Sequence, residues 1–302
     1  MLIPQDRLQL LGSRGGAVTY DATVTALQQR PMAVAATLYD GSIHVEAEFD
    51  LVIAADGLHS ATRDLVLDPG QISTCDTGWG GWVAWAEPDG AADLGEELWG
   101  AGIFIGTYPV KGHLGVFVRG PRSDTGVGPK RFVARVRSRL GPVDSRTDRA
   151  LDVVAQSQDA YYWSLSDRRS DTWSVGRVVM LGDAAAGFLP TAGIGAGLAM
   201  ESAWVLGSLL RVAAPNRVPD MLRDFEEFQR PRVEAAQDNS RQLARLMFLE
   251  SRVLAALRDT AARFVSLETA LRPITKLLQE QPRPARLELA TQPTGAGADT
   301  QR

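Results

Sequence analysis

The chain has 302 residues, 45% of them apolar and 23% charged, and its 32 Lys and Arg against 36 Asp and Glu leave a net charge of −4. This is the composition of an ordinary globular protein, which excludes disordered, collagenous and coiled-coil chains, and so small a charge speaks against a nucleic-acid or anionic-membrane surface. A single cysteine, Cys75, and three scattered histidines, His44, His59 and His113, exclude an internal disulfide framework and a thiolate or histidine metal cluster.

In chain order, the start shows no basic and apolar export pattern, and with its lone thiol the chain is expected in the cytoplasm. Residues 17–20, 32–38 and 43–48 read as strands of a small meander, the last two joined by a tight turn at Tyr39-Asp40-Gly41-Ser42. Residues 50–55 form an apolar run of the kind buried on both faces of a parallel sheet. Asp56-Gly57 ends that run and Ser60 starts a helix. Residues 78–85, 102–108 and 112–119 read as an antiparallel sheet. With a period of two, Trp79 and Trp85 share one face and Trp82 takes the other, unless Gly80-Gly81 forms a bulge that reverses the alternation. These indoles are sheet core by default, and a wall for a planar ligand only if a pocket opens against them.

Helices are expected at 129–140 and 147–156, followed by a second buried strand at 177–181, closed by Gly182-Asp183 as the first is closed by Asp56-Gly57. A long helix starts near Gly193 to Gly197 and runs to Arg211. From 218 to about 279 come amphipathic helices whose Arg230, Arg232, Arg241, Arg245 and Arg252 read as a solvated face. Residues 281–302, rich in Pro, Gly, Thr and Ala, read as a disordered tail. The longest uncharged run, 184–200, touches the lower length of a bilayer span. Gly187, Pro190, Gly193, Gly195 and Gly197 would break such a helix, so no membrane span is expected.

The two strand-end turns carry the chemistry. A carboxylate just past a buried parallel strand lies at the sheet edge where open α/β folds bind ligands, so Asp183 is placed to accept hydrogen bonds from a polyol. After Pro190, Gly193, Gly195 and Gly197 clear side chains from a helix start whose free N–H groups and positive dipole end suit an anionic or electron-rich ring edge. Glycines alone would serve close helix–sheet packing equally well. Their pairing with Asp183 and Pro190 favours a ligand.

Gly182-Asp183-Ala184-Ala185, Pro190, Gly193-Ile194-Gly195-Ala196-Gly197, Glu201 and Ala203 resemble the second flavin motif of the class A flavoprotein monooxygenases related to para-hydroxybenzoate hydroxylase. That motif runs Gly-Asp-Ala-Ala-His, Pro, Gly-x-Gly-x-Asn and Glu-Asp-Ala, and this chain departs from it at Ala186, Gly197 and Ser202. Asp56-Gly57-Leu58-His59-Ser60-Ala61-Thr62-Arg63 resembles the family's Asp-Gly-x-x-Ser-x-x-Arg without departure. The resemblance implies FAD as cofactor. Asp183 would hold the ribityl chain, Pro190 would lie beside the isoalloxazine, and the backbone of Gly193 to Gly197 would support the reduced ring. Asp56 and Gly57 would brace the diphosphate region, with Arg63 as a supporting cation.

The resemblance further implies NADH or NADPH as reductant and a monooxygenase in which a flavin hydroperoxide delivers oxygen to an aromatic or polycyclic apolar substrate, with no obligatory catalytic side chain. Trp79, Trp82, Trp85, Phe104 and Tyr108 are the candidate substrate wall. The same motifs occur in halogenating and reducing relatives. A hydrolase elbow and a nucleotide-hydrolysis loop are both missing from the sequence.

The resemblance extends from about residue 17 to about 279. It does not include the family's opening Gly-x-Gly-x-x-Gly unit, for which Gly12-Ser13-Arg14-Gly15-Gly16 has the wrong spacing. The implied fold is α/β, mixed with α+β: an incomplete FAD-binding, Rossmann-like three-layer domain with an inserted antiparallel-sheet domain. Its expected parts are a partial FAD-binding domain with the meander at 1–70, a substrate domain at 71–172, the second flavin motif and helix at 173–212, C-terminal helices at 213–280 and the tail at 281–302. A shortened or split enzyme is expected, completed by a missing N-terminal segment or a complementing chain at the strand edge left bare. The alternative is a flavin-deficient remnant acting only as a binding partner.

Overall fold

The computed structural model describes residues 18–88, 90, 94–211 and 213–282. The glycine-rich stretch at 12–16 and residues 283–302 of the expected tail lie outside the described residues. The meander consists of β1 (Thr23–Gln29), β2 (Val34–Tyr39) and β3 (His44–Phe49), antiparallel in that order. Residues 18–20, expected in a strand, precede it: Asp21 adopts a positive φ of 55° and turns the chain before β1 begins. At the β2–β3 turn the Asp40 carboxylate accepts the N–H groups of Ser42 and Ile43, both at 2.9 Å, and Gly41 supplies a φ of 90°.

The expected parallel pair forms. β4 (Val52–Ala54) lies alongside β11 (Val178–Met180), with Val52 opposite Val178 and Ala54 opposite Met180, and β10 (Ser174–Val175) flanks β11. β11 is fully buried, but Ile53 of β4 is 43% exposed. β4 is an edge strand among the described residues, so the expectation of burial on both faces holds for only one of the two strands. Buried Arg177 ties the meander to this sheet. Its backbone N–H donates to Gln29 Oε1 at 3.1 Å, and its guanidinium donates to the carbonyls of Asp50 and Pro215 at 3.1 and 2.8 Å.

The larger sheet joins β12 (Ala186–Gly187), β9 (Tyr161–Ser170), β5 (Ile72–Ala86), β8 (His113–Pro121), β7 (Ile103–Val110) and β6 (Glu96–Gly100), in that spatial order. The register of β5 on β8 runs unbroken from Trp79 to Ala86, and the irregularity toward β9 lies earlier, between Asp76 and Gly80. The alternation therefore stands: Trp79 and Trp85 share one face and Trp82 the other. β9 was not expected: residues 166–170 of its second half are polar and lack the apolar alternation of a strand.

Short helices α1 (Ala61–Asp64) and α2 (Arg122–Thr125) precede α3 (Pro129–Leu140) and α4 (Ser145–Gln156), which fall where their periodicity places them. Asp144 caps α4 by accepting from the N–H groups of Arg146 and Thr147. α3 and α4 cover one sheet face, burying Ile103, Ile105, Val116 and Val118 against Phe132, Val136 and Leu151. α5 (Gly195–Leu210) follows the second motif, and α6 (Val218–Met247), α7 (Arg252–Ala262) and α8 (Leu267–Gln279) complete the chain. α5 and α6 pack on the parallel strands around Val179, Met180, Leu206 and Phe225. The far end of α6 meets the other face of the large sheet, where Trp79, Phe104 and Leu165 enclose Leu189 with Met247.

The arginine-rich face of α6 is not simply solvated. Arg232 forms a bidentate pair with Glu201 of α5 at 2.7 and 2.9 Å. Arg241 pairs likewise with buried Asp167 of β9, both bonds at 2.8 Å. Arg230 bonds the Asp171 carbonyl and Glu226. These cations dock α6 onto its neighbours, whereas Arg245 and Arg252 are exposed as expected.

Candidate functional site

The two motif turns follow the ends of the paired parallel strands β4 and β11, and they touch. In the first, Asp56 leaves β4 and Gly57 turns at a φ of 87°. The Asp56 carboxylate accepts from the Ser60 hydroxyl and, at 2.9 Å, from the Thr62 N–H. Ser60 in turn caps α1 by accepting the Arg63 N–H at 2.9 Å. Burial pushes the Asp56 carboxyl up, but these donors outweigh it and hold the group below its ordinary value.

Arg63 is fully buried beneath this turn. Its Nη1 donates to the Leu58 carbonyl at 3.2 Å and to the Ala184 carbonyl of the second turn at 3.3 Å. Nη2 is buried and has no partner among the described residues. A second contact crosses the same gap: a Cβ on Gly187 would overlap the end of the Leu58 side chain.

In the second turn Gly182 takes a φ of 61° and a 3₁₀ turn carries Gly182–Ala184. The Asp183 side chain has no hydrogen bond among the described residues. It keeps an open face to solvent, yet the surrounding chain desolvates its carboxyl and holds it above the ordinary value. Pro190 follows buried Leu189, and Thr191 is fastened to α6 by a 2.7 Å bond from its hydroxyl to the Ser240 carbonyl. α5 then begins at Gly195 without a side-chain cap. Its first intrahelical bond is Leu198 N–H to Ile194 at 3.1 Å, so the N–H groups of Gly195, Ala196 and Gly197 have no helical acceptor. A Cβ on Gly193 or Gly197 would meet nothing within 4 Å, whereas one on Gly195 would press Phe188 at 3.2 Å. A cleft of about 660 Å³ opens here, bordered by Gly193, Ile194, Gly197, Glu201, Trp204 and Arg232.

These features fit a dinucleotide flavin. A free carboxylate suits polyol hydroxyls, an uncapped helix start with open glycines suits an electron-rich ring, and an orphaned buried guanidinium nitrogen lies beside the first turn. The family of FAD binding domains matches this chain over residues 8–240. The chain belongs to that family.

FAD is the family's cofactor, and the membership bears out the resemblance to the class A flavoprotein monooxygenases read from the two motifs. The chain is 29% identical over 253 residues to a 3-amino-4-hydroxybenzoate 2-monooxygenase of Streptomyces platensis, covering 81% of this chain and 62% of that protein. It is 31% identical over 235 residues to a 3-amino-4-hydroxybenzoate 2-monooxygenase of Streptomyces cremeus, covering 76% and 57%. It thus spans about three fifths of the length of the curated relatives it matches. The crystal structure of Klebsiella pneumoniae HpxO complexed with FAD and uric acid is similar at a TM-score of 0.78 and 23% identity, covering 92% of this chain and 71% of that one. The mixed α/β fold is shared.

The five aromatic wall candidates separate. Trp82 lies on the helix-covered face, its Nε1 donating to the Thr125 carbonyl at 3.0 Å, and is removed from any wall on the Leu189 side. Trp79 and Phe104 are buried core, Trp79 stacked on Phe248 with centroids 4.7 Å apart. Trp85 and Tyr108 remain accessible on the face that carries Leu189. Sequence reasoning missed the roles of Leu58 and of the Ala184 carbonyl, which depend on contacts between distant segments and carry no local signal. Among the described residues no group of His, Cys, Asp and Glu is placed to hold a metal, and no helix is long and apolar enough to cross a membrane.

Proposed function

We propose that the chain carries the site of a cytoplasmic, FAD-dependent monooxygenase that hydroxylates an aromatic or polycyclic apolar small molecule with oxygen, using NADH or NADPH as reductant. The observation that carries this reading is the contact between the two motif turns through Arg63, beside an uncapped helix start. Asp56, Gly57 and Arg63 would hold the diphosphate side, Asp183 the ribityl hydroxyls, and Pro190 with the backbone of Gly193, Ile194, Gly195, Ala196 and Gly197 the ring. In that division residues 1–70 and 173–212 serve the flavin and 71–172 the substrate.

Bound there, the flavin supplies electron transfer from nicotinamide and the activation of oxygen. The chain's own residues orient it and keep water from the ring. The α5 start stabilises negative charge on its edge through preorganised N–H groups, which need no rearrangement when the charge forms. The names of the two Streptomyces relatives support an aromatic substrate. A second reading, in which another segment or chain completes the site, is favoured by exposed Ile53 on the edge strand β4.

The test is to mix the purified chain with FAD, remove the excess and read bound flavin from its visible absorption, then follow oxygen uptake with NADH or NADPH and 3-amino-4-hydroxybenzoate. Stoichiometric yellow protein supports the cofactor assignment. Protein that stays colourless alone and with any complementing segment overturns it.

A further inference from the structure

α7 packs against the body with a small and a charged residue and turns its apolar ones to solvent. Ala255 is buried, and the Arg258 side chain, 9% exposed, donates from Nη1 to the Leu246 carbonyl at 3.0 Å and from Nη2 to the Trp99 carbonyl at 2.7 Å. On the side turned away from the body Val253 is 70% exposed, Leu257 62% and Phe264, in the turn that follows, 86%. Leu254 and Val265 are about half exposed, and Ala261 is open. The N–H groups of Phe264 and Val265 donate to the carbonyls of Ala261 and Ala262, so the winding continues past the helix end. At 3.6 residues per turn these six residues fall within about 120° of the circumference. A surface helix normally buries such a stripe; here it is reversed, and a continuous exposed apolar surface of this kind marks a contact with something else.

The stripe is complementary to itself. Leu254, Leu257, Ala261 and Phe264 follow one another at spacings of 3, 4 and 3, the seam along which two helices pair. With two copies antiparallel about a two-fold axis level with Asp259, Leu254 faces Phe264 of the second copy, Leu257 faces Ala261 and Val253 faces Val265. A large side chain then meets a small one next to the axis, and each contact occurs twice, as a two-fold interface requires. Arg252, Asp259 and Arg263 lie on the far side of the helix from this seam, so pairing buries no charge. The same two arginines and one acid offer little attraction to an anionic lipid surface. With roughly 100 Å² of open surface on each of the five larger side chains, two stripes meeting would remove on the order of 1,000 Å² from water before flanking residues are counted, close to the ~1,200 Å² at which specific interfaces begin.

We propose that the exposed stripe of α7 and the turn after it is a homodimer contact, on which a second copy of this chain packs antiparallel. The assignment goes beyond the flavin reading and does not rest on it.

The experiment is sedimentation equilibrium on the full chain at micromolar concentration. The parent is expected at twice the chain mass. Leu257→Glu and Phe264→Glu change side chains that are open in the single chain, and each should weaken association at least a hundredfold while leaving the far-ultraviolet circular dichroism unchanged. Ala261→Leu enlarges the small position opposite Leu257 and should weaken association at least tenfold although it adds apolar surface. In a Cys75→Ser background, Leu254→Cys mixed with Phe264→Cys should form a disulfide between chains on mild oxidation, whereas Leu254→Cys alone should form little. A monomeric parent, a dimer indifferent to Leu257→Glu, tighter association in Ala261→Leu, or efficient pairing of Leu254→Cys with itself overturns the proposal. So does a monomeric parent that sediments with phosphatidylcholine and phosphatidylglycerol vesicles and loses this with Phe264→Glu, which would make the stripe a lipid contact. The mass of the parent decides the matter even where a variant fails to fold.

Discussion

Arg63 donates from Nη1 to the carbonyl oxygen of Ala184 at 3.3 Å, a bond between residues 121 positions apart in the chain. Through it the turn after β4 and the turn after β11 hold one another, and a cation with one free buried nitrogen sits between them. Substituting Arg63→Met keeps the volume but leaves the Leu58 and Ala184 carbonyls without this donor. Losing charge-assisted bonds of this kind costs roughly 1.5–3 kcal/mol. The variant is expected to unfold at lower urea concentration and to retain flavin at least tenfold less tightly. A variant that melts and retains flavin like the parent would show that the two turns do not depend on this link.

Asp183 is expected to trade stability for binding. Its carboxyl is held above the ordinary value by desolvation, so the native state disfavours the charged form. This penalty is absent below an unfolded-state pKa of about 4. It grows as pH rises and is complete above the native pKa. Asp183→Asn removes it, and the flavin-free variant should melt higher than the parent at pH 7, with the gap closing as pH falls toward 4. The same change removes a charged acceptor for polyol hydroxyls and should weaken FAD binding by roughly 1.5–3 kcal/mol. Thermal melts across pH and a flavin titration measure both halves.

Asp56 has the opposite slope. Hydrogen bonds from Ser60 and Thr62 hold its carboxyl below the ordinary value, so its stabilisation is present above an unfolded pKa of about 4 and is lost as pH falls through the native pKa. Asp56→Asn is therefore expected to lower the melting temperature at pH 7 and to matter less with each step below pH 4. Comparing the pH profiles of Asp56→Asn and Asp183→Asn distinguishes the two strand-end aspartates without any ligand. Profiles of the same sign would contradict the environments described for them.

Much of the site was legible because its signals are local. An apolar run followed by Asp-Gly, and another followed by Gly-Asp, announce two strand ends at one sheet edge, and glycines after Pro190 announce an open helix start. What was not legible depends on partners far along the chain. Residues 166–170 of β9 carry Asp167, Arg168 and Arg169 and lack the apolar alternation that marks a strand. In the fold Arg169 bonds Gln237 and Asp238 while Asp167 is covered by Arg241, and this turns a polar segment into an inner strand. The same blindness makes the α6 arginines read as a solvated face, since helical spacing tells which residues share a side and not what lies opposite. Trp79 and Trp85 illustrate the limit from the other direction. Alternation places them on one face, but only the packing of Phe248 over Trp79 separates core from accessible wall.

The Arg241–Asp167 pair provides the sharpest stability test. Both bonds are 2.8 Å, and the Asp167 side chain is wholly buried while that of Arg241 is 19% exposed. Removing the acid alone leaves the Arg241 guanidinium at the junction of α6 and β9 with only the more distant Asp238 carboxylate, at 3.9 Å, and breaking comparable buried pairs costs roughly 3–5 kcal/mol. Asp167→Ala should therefore destabilise the chain by about that amount in urea unfolding. Replacing both partners, as in Asp167→Leu with Arg241→Met, removes the charge imbalance and the desolvation together and is expected to recover most of the loss. The junction also positions Leu189 among Trp79, Phe104 and Leu165, one residue before Pro190. Asp167→Ala should consequently loosen flavin as well as the fold, and the double variant should restore both. Full recovery of stability with flavin still lost would mean that the ion pair places the Pro190 turn by its geometry and not merely by holding α6 in contact with the sheet.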